Sequence, residues 1–211
     1  MTRFKVKVCG ITRSTDAISA WECGADMIGM IFYRPSPRFV SSASAQQIVR
    51  GLPPTLERVG VFVNEAVDTI LRIAERLRLD YVQLSGDESE SSIAKIQRER
   101  YRVIKGFHIQ KREDYHEVSH TIADICMLDS RTENKYGGTG KAFDWSLRPP
   151  KRIRNLMLSG GITAENVAEG VELFDPLIVD VNSGIETKPG IKSVPKLEEF
   201  FNEIDKIKYG A

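Results

Sequence analysis

Eight short runs rich in β-branched residues alternate with segments of helical period, and this alternation restricts the fold more than any other feature of the chain. The predicted strands are 4–9, 26–32, 58–63, 80–84, 102–107, 124–129, 155–158 and 177–181. The predicted helices are 14–23, 43–51, 66–77, 89–100, 111–121, 164–173 and 194–206. Strands joined by helical crossovers pair in parallel, so we predict a minimal (β/α)8 TIM barrel, one α/β domain over residues 1–211. An open doubly wound sheet is the alternative.

The connection between the sixth and seventh predicted strands is unlike the others. Its helical segment, 143–147, is long enough for only about one or two turns before Pro149 and Pro150 end it. A glycine-rich stretch, 135–141, precedes that segment and is typical of a mobile lid over a site. It is not a nucleotide P-loop, because Lys135 stands at the position of the first required glycine and Ala142 at that of the Ser or Thr.

The amino-acid composition argues against several classes of binding partner. Lys and Arg number 30 against 29 Asp and Glu, which argues against a general nucleic-acid binder. No apolar stretch approaches the ~18 residues that span a bilayer, so no membrane partner is expected. The three cysteines form neither a disulfide framework nor a metal-ligand spacing, which favours the reducing cytoplasm and predicts no metal. A monomer and a homodimer are both compatible with the sequence.

In a barrel of this kind the active site lies at the carboxyl ends of the strands. Polar or reactive residues do follow the predicted strands there, namely Cys9, Asn64, Gln83, Asp129 and the run 180–184. Basic residues that would be exposed to solvent stand at the opposite ends, at positions 5, 58, 102 and 154. We therefore predict one site at the carboxyl-terminal mouth.

Cys9 closes the first predicted strand on the same side as Lys7, about 7 Å away. A free thiol has a pKa of about 8.5, so Cys9 is a base at neutral pH only if neighbours such as Lys7 stabilise the thiolate. The alternative is a buried small apolar residue. Cys126 has the opposite parity to Asp129, and we predict that it faces the helices.

Asp129 ends the sixth predicted strand after an apolar run. It either caps a turn with Ser130 or, across a barrel mouth from a thiol, acts as a general acid. Arg38 follows the second predicted strand beside Pro37, and it is either a surface arginine or a guanidinium placed to bind a carboxylate.

Two glycine clusters, 159–163 and 182–186, follow the seventh and eighth predicted strands. Backbone N–H groups in such loops converge on anions, and these two loops form the usual phosphate site of the barrel. Gly160, Gly161, Ser183 and Gly184 are therefore candidate phosphate-binding residues, the alternative being ordinary turns.

Eight groups of motifs follow one another along nearly the whole chain: 7–10 (KVCG), 29–32 (GMIF) with 36–38 (SPR), 60–64 (GVFVN), 82–84 (VQL), 128–130 (LDS), 137–140 (GGTG) with 143–145 (FDW), 159–161 (SGG) and 180–186 (DVNSGIE). Their identity and order closely resemble those of the phosphoribosylanthranilate isomerase family of tryptophan biosynthesis. The resemblance implies a (β/α)8 barrel and a cofactor-free Amadori rearrangement of N-(5-phosphoribosyl)anthranilate, a small phosphorylated substrate.

Matched motif by motif, Cys9 is similar to the general base of that family and Asp129 to its general acid. Arg38 is similar to the residue that meets the anthranilate carboxylate, and Asp180 to a further active-site aspartate. We expect Lys7 and Gln83 to support the site.

Three residues depart from the pattern of the family. Ser85 stands where a histidine is usual, Ser159 where an alanine precedes the two glycines, and Asn182 where the last motif usually has its first serine. None of them removes a residue assigned to proton transfer.

Two other functions remain possible at this point. The histidine-pathway isomerase performs the same rearrangement on an aminoimidazole carboxamide, but it has an Asp in place of Cys9 and a two-fold internal repeat that this chain lacks. A catalytically silent phosphate-binding barrel is the other possibility, and the presence of Cys9, Asp129 and Arg38 together argues against it.

Overall fold

The computed structural model describes residues 4–129, 145–147, 149 and 153–210. Its strands are β1 Lys5–Val8, β2 Met27–Ile31, β3 Glu57–Phe62, β4 Tyr81–Leu84, β5 Arg102–His108, β6 Ile125–Asp129, β7 Leu156–Leu158, β8 Ile178–Val181, β9 Glu186–Lys188 and β10 Ile191–Lys192. Its helices are α1 Ser14–Glu22, α2 Ser42–Val49, α3 Val67–Leu77, α4 Glu90–Arg98, α5 Tyr115–His120, α6 Val167–Phe174 and α7 Val194–Tyr209.

The first eight strands form a closed barrel in sequence order. Each pairs in parallel with its neighbours, and β1 closes the ring against β8 with Lys7 opposite Asp180. The predicted (β/α)8 barrel is confirmed, and the open sheet is excluded.

The apolar core has two parts because successive strand residues point to opposite faces. Side chains that fill the barrel interior form one buried cluster of eight residues: Met27, Val59, Tyr81, Ile104, Ile125, Met127, Met157 and Ile178. A larger cluster lies between the strands and the helices and contains Cys126. The prediction that Cys126 faces the helices is therefore confirmed.

Serine side chains define the start of three helices. Ser41, Ser89 and Ser193 accept hydrogen bonds from backbone N–H groups in the first turns of α2, α4 and α7. The helix predicted at 164–173 begins only at Val167, because Asn166 Oδ1 accepts from the N–H of Thr163 and holds the preceding residues in a turn.

One further prediction differs from the structure, and one element of the structure was not predicted. The helix predicted at 111–121 is divided into a 3-10 turn, Arg112–Asp114, and α5. The antiparallel hairpin β9–β10 was not predicted, because its strands have only three and two residues and no apolar alternation. The predicted lid at 135–141 and the start of the helix at 143–147 lie outside the described residues. In the part of the chain that is described, no helix is both long and apolar enough to cross a membrane.

Candidate active site

A cavity opens at the carboxyl ends of the barrel strands, where the sequence predicts the site. It is lined by seven of the predicted residues, Cys9, Gln83, Asp129, Gly160, Gly161, Asp180 and Ser183, and by Ser85, Ser159 and Asn182 among others. Lys7, Arg38 and Gly184 do not line it. Lys7 and Arg38 are buried beside the cavity. The predicted base, Cys9, and the predicted acid, Asp129, both line it.

Gly29 on β2 gives Cys9 and Lys7 the room to meet. A Cβ atom at position 29 would lie 2.9 Å from Cys9 Sγ and 3.2 Å from Lys7 Nζ. Lys7 is fully buried, and its ammonium lies close enough to the Cys9 thiol to interact with it electrostatically. The expected proximity of the two residues is thus confirmed, and the missing side chain on β2 makes it possible.

Burial governs the charge state of this pair. Burial raises the pKa of the Cys9 thiol, and the ammonium of Lys7 lowers it without offsetting that effect. Burial also acts to lower the pKa of Lys7, but the carboxylate of Asp180 and the neighbouring Cys9 outweigh it, so that the pKa of Lys7 is raised. The resting site therefore holds a lysine ammonium and a neutral thiol at neutral pH. Lys7 acts on Cys9 in the expected direction, but it does not by itself generate a thiolate.

Asp180 connects three neighbouring strands. Lys7 Nζ donates a hydrogen bond of 2.7 Å to Asp180 Oδ1, and Ser159 Oγ donates one of 3.1 Å to Oδ2. Asp180 and Lys7 meet because they are opposite one another in the β1–β8 ladder. Both oxygens of this buried carboxylate are thus bound by donors from β1 and from the residue after β7.

Arg38 is buried, which excludes the surface arginine that the sequence left open. Its Nε and Nη2 atoms donate to the carboxylate of Glu186 at 3.0 and 2.6 Å. Glu186 also accepts from Lys192 Nζ and from the N–H of Gly190, each at 3.0 Å. Although burial acts to raise the pKa of Glu186, Arg38 and Lys192 hold it below its ordinary value. A carboxylate on the β9–β10 hairpin therefore fixes the guanidinium.

Sequence reasoning assigned no role to Glu186 or Lys192. Glu186 closes the last of the eight motifs, so its place in that motif was the one signal that could have found it. Lys192 lies on β10, and no motif included it. Its Nζ donates to Asn182 Oδ1 at 2.9 Å as well as to Glu186.

The strand end after β1 approaches this charged network closely. Gly10 has φ of +72°, and a Cβ atom there would lie 2.6 Å from Asn182 Oδ1 and 2.7 Å from Arg38 Cδ. Glycine is therefore needed at this position both for its backbone angle and for space. Asn182, one of the three departures from the family pattern, is held between Gly10 and Lys192.

The two predicted phosphate loops touch each other. Gly160 and Gly161 have positive φ angles of 84° and 68°, and Ser183 and Gly184 belong to a 3-10 turn directly after β8. A Cβ atom on Gly184 would collide with the carbonyl oxygen of Ile162 in the other loop. Backbone groups of both loops therefore meet at one side of the cavity, as an anion site requires.

Asp129 and Gln83 lie on other strands of the same cavity. Asp129 is half-buried at the end of β6, opposite His108 of β5. The Nε2 atom of Gln83 donates to Ser85 Oγ at 3.2 Å and lies 3.4 Å from Met127 Sδ. Among the described residues, the buried Oε1 atom of Gln83 has no hydrogen-bond partner.

Among the described residues, no group of three or more His, Cys, Asp or Glu side chains could hold a metal ion.

The sequence and the fold of this chain are similar to those of proteins of known function. Residues 6–203 match the family model of N-(5'-phosphoribosyl)anthranilate isomerase. A curated isomerase of that name from Trichlorobacter lovleyi is 40% identical over 198 residues, which cover 93% of this chain and 95% of the relative.

Two solved structures are also similar. One is a phosphoribosylanthranilate isomerase in complex with reduced 1-(o-carboxyphenylamino)-1-deoxyribulose 5-phosphate, with a TM-score of 0.85, 37% identity and coverage of 98% and 99% of the two chains. The other contains monomers generated from the dimeric enzyme of Thermotoga maritima, with a TM-score of 0.86, 38% identity and the same coverage.

Proposed function

The chain belongs to the N-(5'-phosphoribosyl)anthranilate isomerase family, and from that premise we propose that Cys9 and Asp129 are the base and the acid of its reaction. The reaction is the aldose–ketose isomerisation of N-(5'-phosphoribosyl)anthranilate. The observation that carries the assignment is the convergence, in one cavity, of the Cys9 thiol directly after β1 and the Asp129 carboxyl at the end of β6. The contacting loops after β7 and β8 lie beside them.

The first step opens the ribose ring. The Asp129 carboxyl donates its proton to the ring oxygen, the bond from that oxygen to C1′ breaks, and the anthranilate nitrogen forms a double bond to C1′. The product is a protonated Schiff base, and Asp129 is left as a carboxylate.

The second step removes the proton from C2′. The Cys9 thiol first loses its own proton to solvent, and the resulting thiolate takes the C2′ proton while the bonding electrons form the C1′–C2′ double bond of a neutral enolamine. The Asp129 carboxylate regains a proton from solvent before the next turnover. Transfer of the enol proton to C1′ then gives the ketone. Since burial disfavours the thiolate in the resting site, the positive charge of the Schiff base has to assist Lys7 in stabilising it. Ionisation of Cys9 is thereby coupled to ring opening.

The two anionic ends of the substrate have candidate anchors. Backbone N–H groups of Gly160, Gly161, Ser183 and Gly184 are proposed to bind the phosphate, since the loops that carry them contact each other at the cavity. Arg38 is proposed to bind the anthranilate carboxylate. Glu186 occupies Nε and Nη2 of its guanidinium, and Nη1 has no hydrogen-bond partner among the described residues.

Turnover of fresh phosphoribosylanthranilate, followed as loss of anthranilate fluorescence, tests the function. The purified chain should consume it, and it should not consume the aminoimidazole carboxamide substrate of the histidine-pathway isomerase. Turnover of only the second substrate would favour that enzyme, and turnover of neither would favour a silent phosphate-binding barrel.

Replacing Arg38 with lysine tests the carboxylate anchor. Lysine keeps a positive charge for Glu186 but loses the planar fork, so we expect KM to rise roughly 10- to 150-fold, equivalent to a lost charged hydrogen bond of about 1.5–3 kcal/mol. Steady-state kinetics provide the measurement. Arg34→Lys, on the same β2–α2 loop, is the control and should leave KM unchanged. An unchanged KM in Arg38→Lys would remove Arg38 from substrate binding.

Gly29→Ala tests the close approach of Cys9 and Lys7. The added methyl group would displace one or both reacting groups, and we expect kcat to fall roughly 10- to 100-fold with little change in KM. Gly170→Ala on α6 is the control, because its Cβ atom would also press on a side chain, at 2.8 Å from Leu158 Cδ2, but Gly170 does not line the cavity. Equal kcat values for the two folded variants would contradict the assigned role of this contact.

A monomer or a homodimer is proposed as the assembly. A similar solved structure contains monomers generated from a dimeric enzyme. Sedimentation equilibrium distinguishes the two. The cytoplasm stays the predicted compartment.

A further inference from the structure

We propose that Ser159 is a positioning residue whose hydroxyl, acting through Asp180 and Lys7, sets how readily Cys9 loses its proton. The proposal rests on the proposed function, in which Cys9 is the base.

Among the described residues, Asp180 is the hydrogen-bond partner of the Ser159 hydroxyl. Its Oγ atom lies 3.1 Å from Asp180 Oδ2, and both residues are buried, at 8% and 5% exposure. A carboxylate can only accept, so Ser159 is the donor. The backbone of Ser159 is fixed as well, because its N–H donates to the carbonyl of Leu128 on β6 at 3.0 Å. The donor therefore points at Asp180 from a rigid strand end.

Ser159 and Lys7 divide the two oxygens of Asp180 between them. Lys7 Nζ binds Oδ1 at 2.7 Å, and Ser159 binds Oδ2. Donors on both oxygens fix the plane of the carboxylate and hold the ammonium at Oδ1, beside Cys9. Without Ser159 the carboxylate keeps only the Lys7 donor of these two, and Lys7 stabilises its charge without the help of the hydroxyl.

The effect of Ser159 on the Cys9 thiol is electrostatic. Besides burial, the negative charge of Asp180 raises the pKa of Cys9, whereas Lys7 lowers it. The hydroxyl of Ser159 withdraws charge from the carboxylate, which leaves more of the field of Lys7 acting on the sulfur. Loss of this hydroxyl should therefore raise the pKa of Cys9 further.

The test measures Cys9 directly in the substrate-free protein. Iodoacetamide alkylation at pH 8 is quantified for each cysteine by peptide mass spectrometry. Only the thiolate reacts, so a rise of about 0.5–1 unit in its pKa slows alkylation roughly three- to tenfold. We expect that slowing at Cys9 in Ser159→Ala and no change at Cys23, a half-buried cysteine that follows α1. An unchanged Cys9 rate in folded Ser159→Ala would overturn the proposal.

Two further variants separate positioning from a general effect on the cavity. Ser85→Ala removes another hydroxyl from the same cavity, one that contacts Gln83 and not Asp180, and it should leave the Cys9 rate unchanged. In an Asp180→Asn background, Ser159→Ala should have little further effect, because the two residues act in series. Additive effects in that double variant would contradict the proposed route through Asp180.

Turnover supplies an independent measurement. Ser159→Ala should lower kcat three- to tenfold with KM unchanged, and a rise in KM alone would make Ser159 a substrate contact instead. The alkylation result needs no substrate. If the unmodified chain failed to turn over phosphoribosylanthranilate while Cys9 still responded to Ser159, the function would be wrong and the Ser159–Asp180–Lys7–Cys9 connection would stand.

Discussion

Cys9→Ser should lower kcat by about 10²–10⁴-fold, the contribution usual for a positioned acid or base. A serine hydroxyl is far less acidic than a thiol, and the buried site around position 9 already opposes a negative charge there. Because Cys9 makes no proposed contact with the phosphate, the inhibition constant of a phosphorylated product analogue should stay near that of the unmodified protein.

Cys23→Ser is the matched control for this prediction. Cys23 is half-buried in the connection after α1, away from the residues that line the cavity, so the substitution should leave kcat unchanged. A Cys9→Ser variant with kcat near that of Cys23→Ser would remove the thiol from the mechanism.

Asp129→Asn should reduce kcat to a similar extent for a different reason. An amide has nearly the size of the carboxyl group but cannot donate a proton as an acid does, so ring opening loses its catalyst. We expect the variant to bind the closed furanose with a dissociation constant close to the KM of the unmodified protein, measured by quenching of anthranilate fluorescence. Asp68→Asn, on the exposed face of α3, is the control of the same chemistry and should be fully active. If the variant bound the substrate weakly but kept a normal kcat, Asp129 would be a substrate contact and not the acid.

Local pattern was sufficient to predict the eight barrel strands and the face on which Cys9, Cys126 and Asp129 lie. The run ending at Asp129 alternates with period two, so Cys126 was correctly assigned to the helix side and Asp129 to the mouth. The same parity correctly put Cys9 and Lys7 on one side of β1. These are properties of a few consecutive residues, and no distant partner alters them.

The partners of the charged residues could not be predicted in the same way. Lys7 binds Asp180, 173 positions along the chain, because barrel closure sets β1 against β8 in one particular register. Arg38 binds Glu186 because of a short hairpin that carries no periodic signal. The sequence shows Pro37 beside Arg38 but gives no sign that the buried carboxylate of Glu186 holds the guanidinium.

The ionisation of Cys9 shows a third limit. Sequence proximity correctly identified Lys7 as a group that favours the thiolate, but the burial of Cys9 is a property of the assembled barrel, and it outweighs Lys7. The charge state of a catalytic group depends on the surrounding packing as much as on its nearest charged neighbour.

Rapid mixing of excess Cys9→Ser and Asp129→Asn protein with phosphoribosylanthranilate tests the central claim, that two groups act in order on one substrate. Absorbance of the anthranilate chromophore distinguishes the closed furanose from the conjugated Schiff base. Cys9→Ser retains the acid and should open the ring, so its spectrum should shift within the mixing experiment and then persist. Asp129→Asn should keep the spectrum of the closed furanose. If both variants stall at the same species, or if only Asp129→Asn opens the ring, the assigned acid and base are wrong.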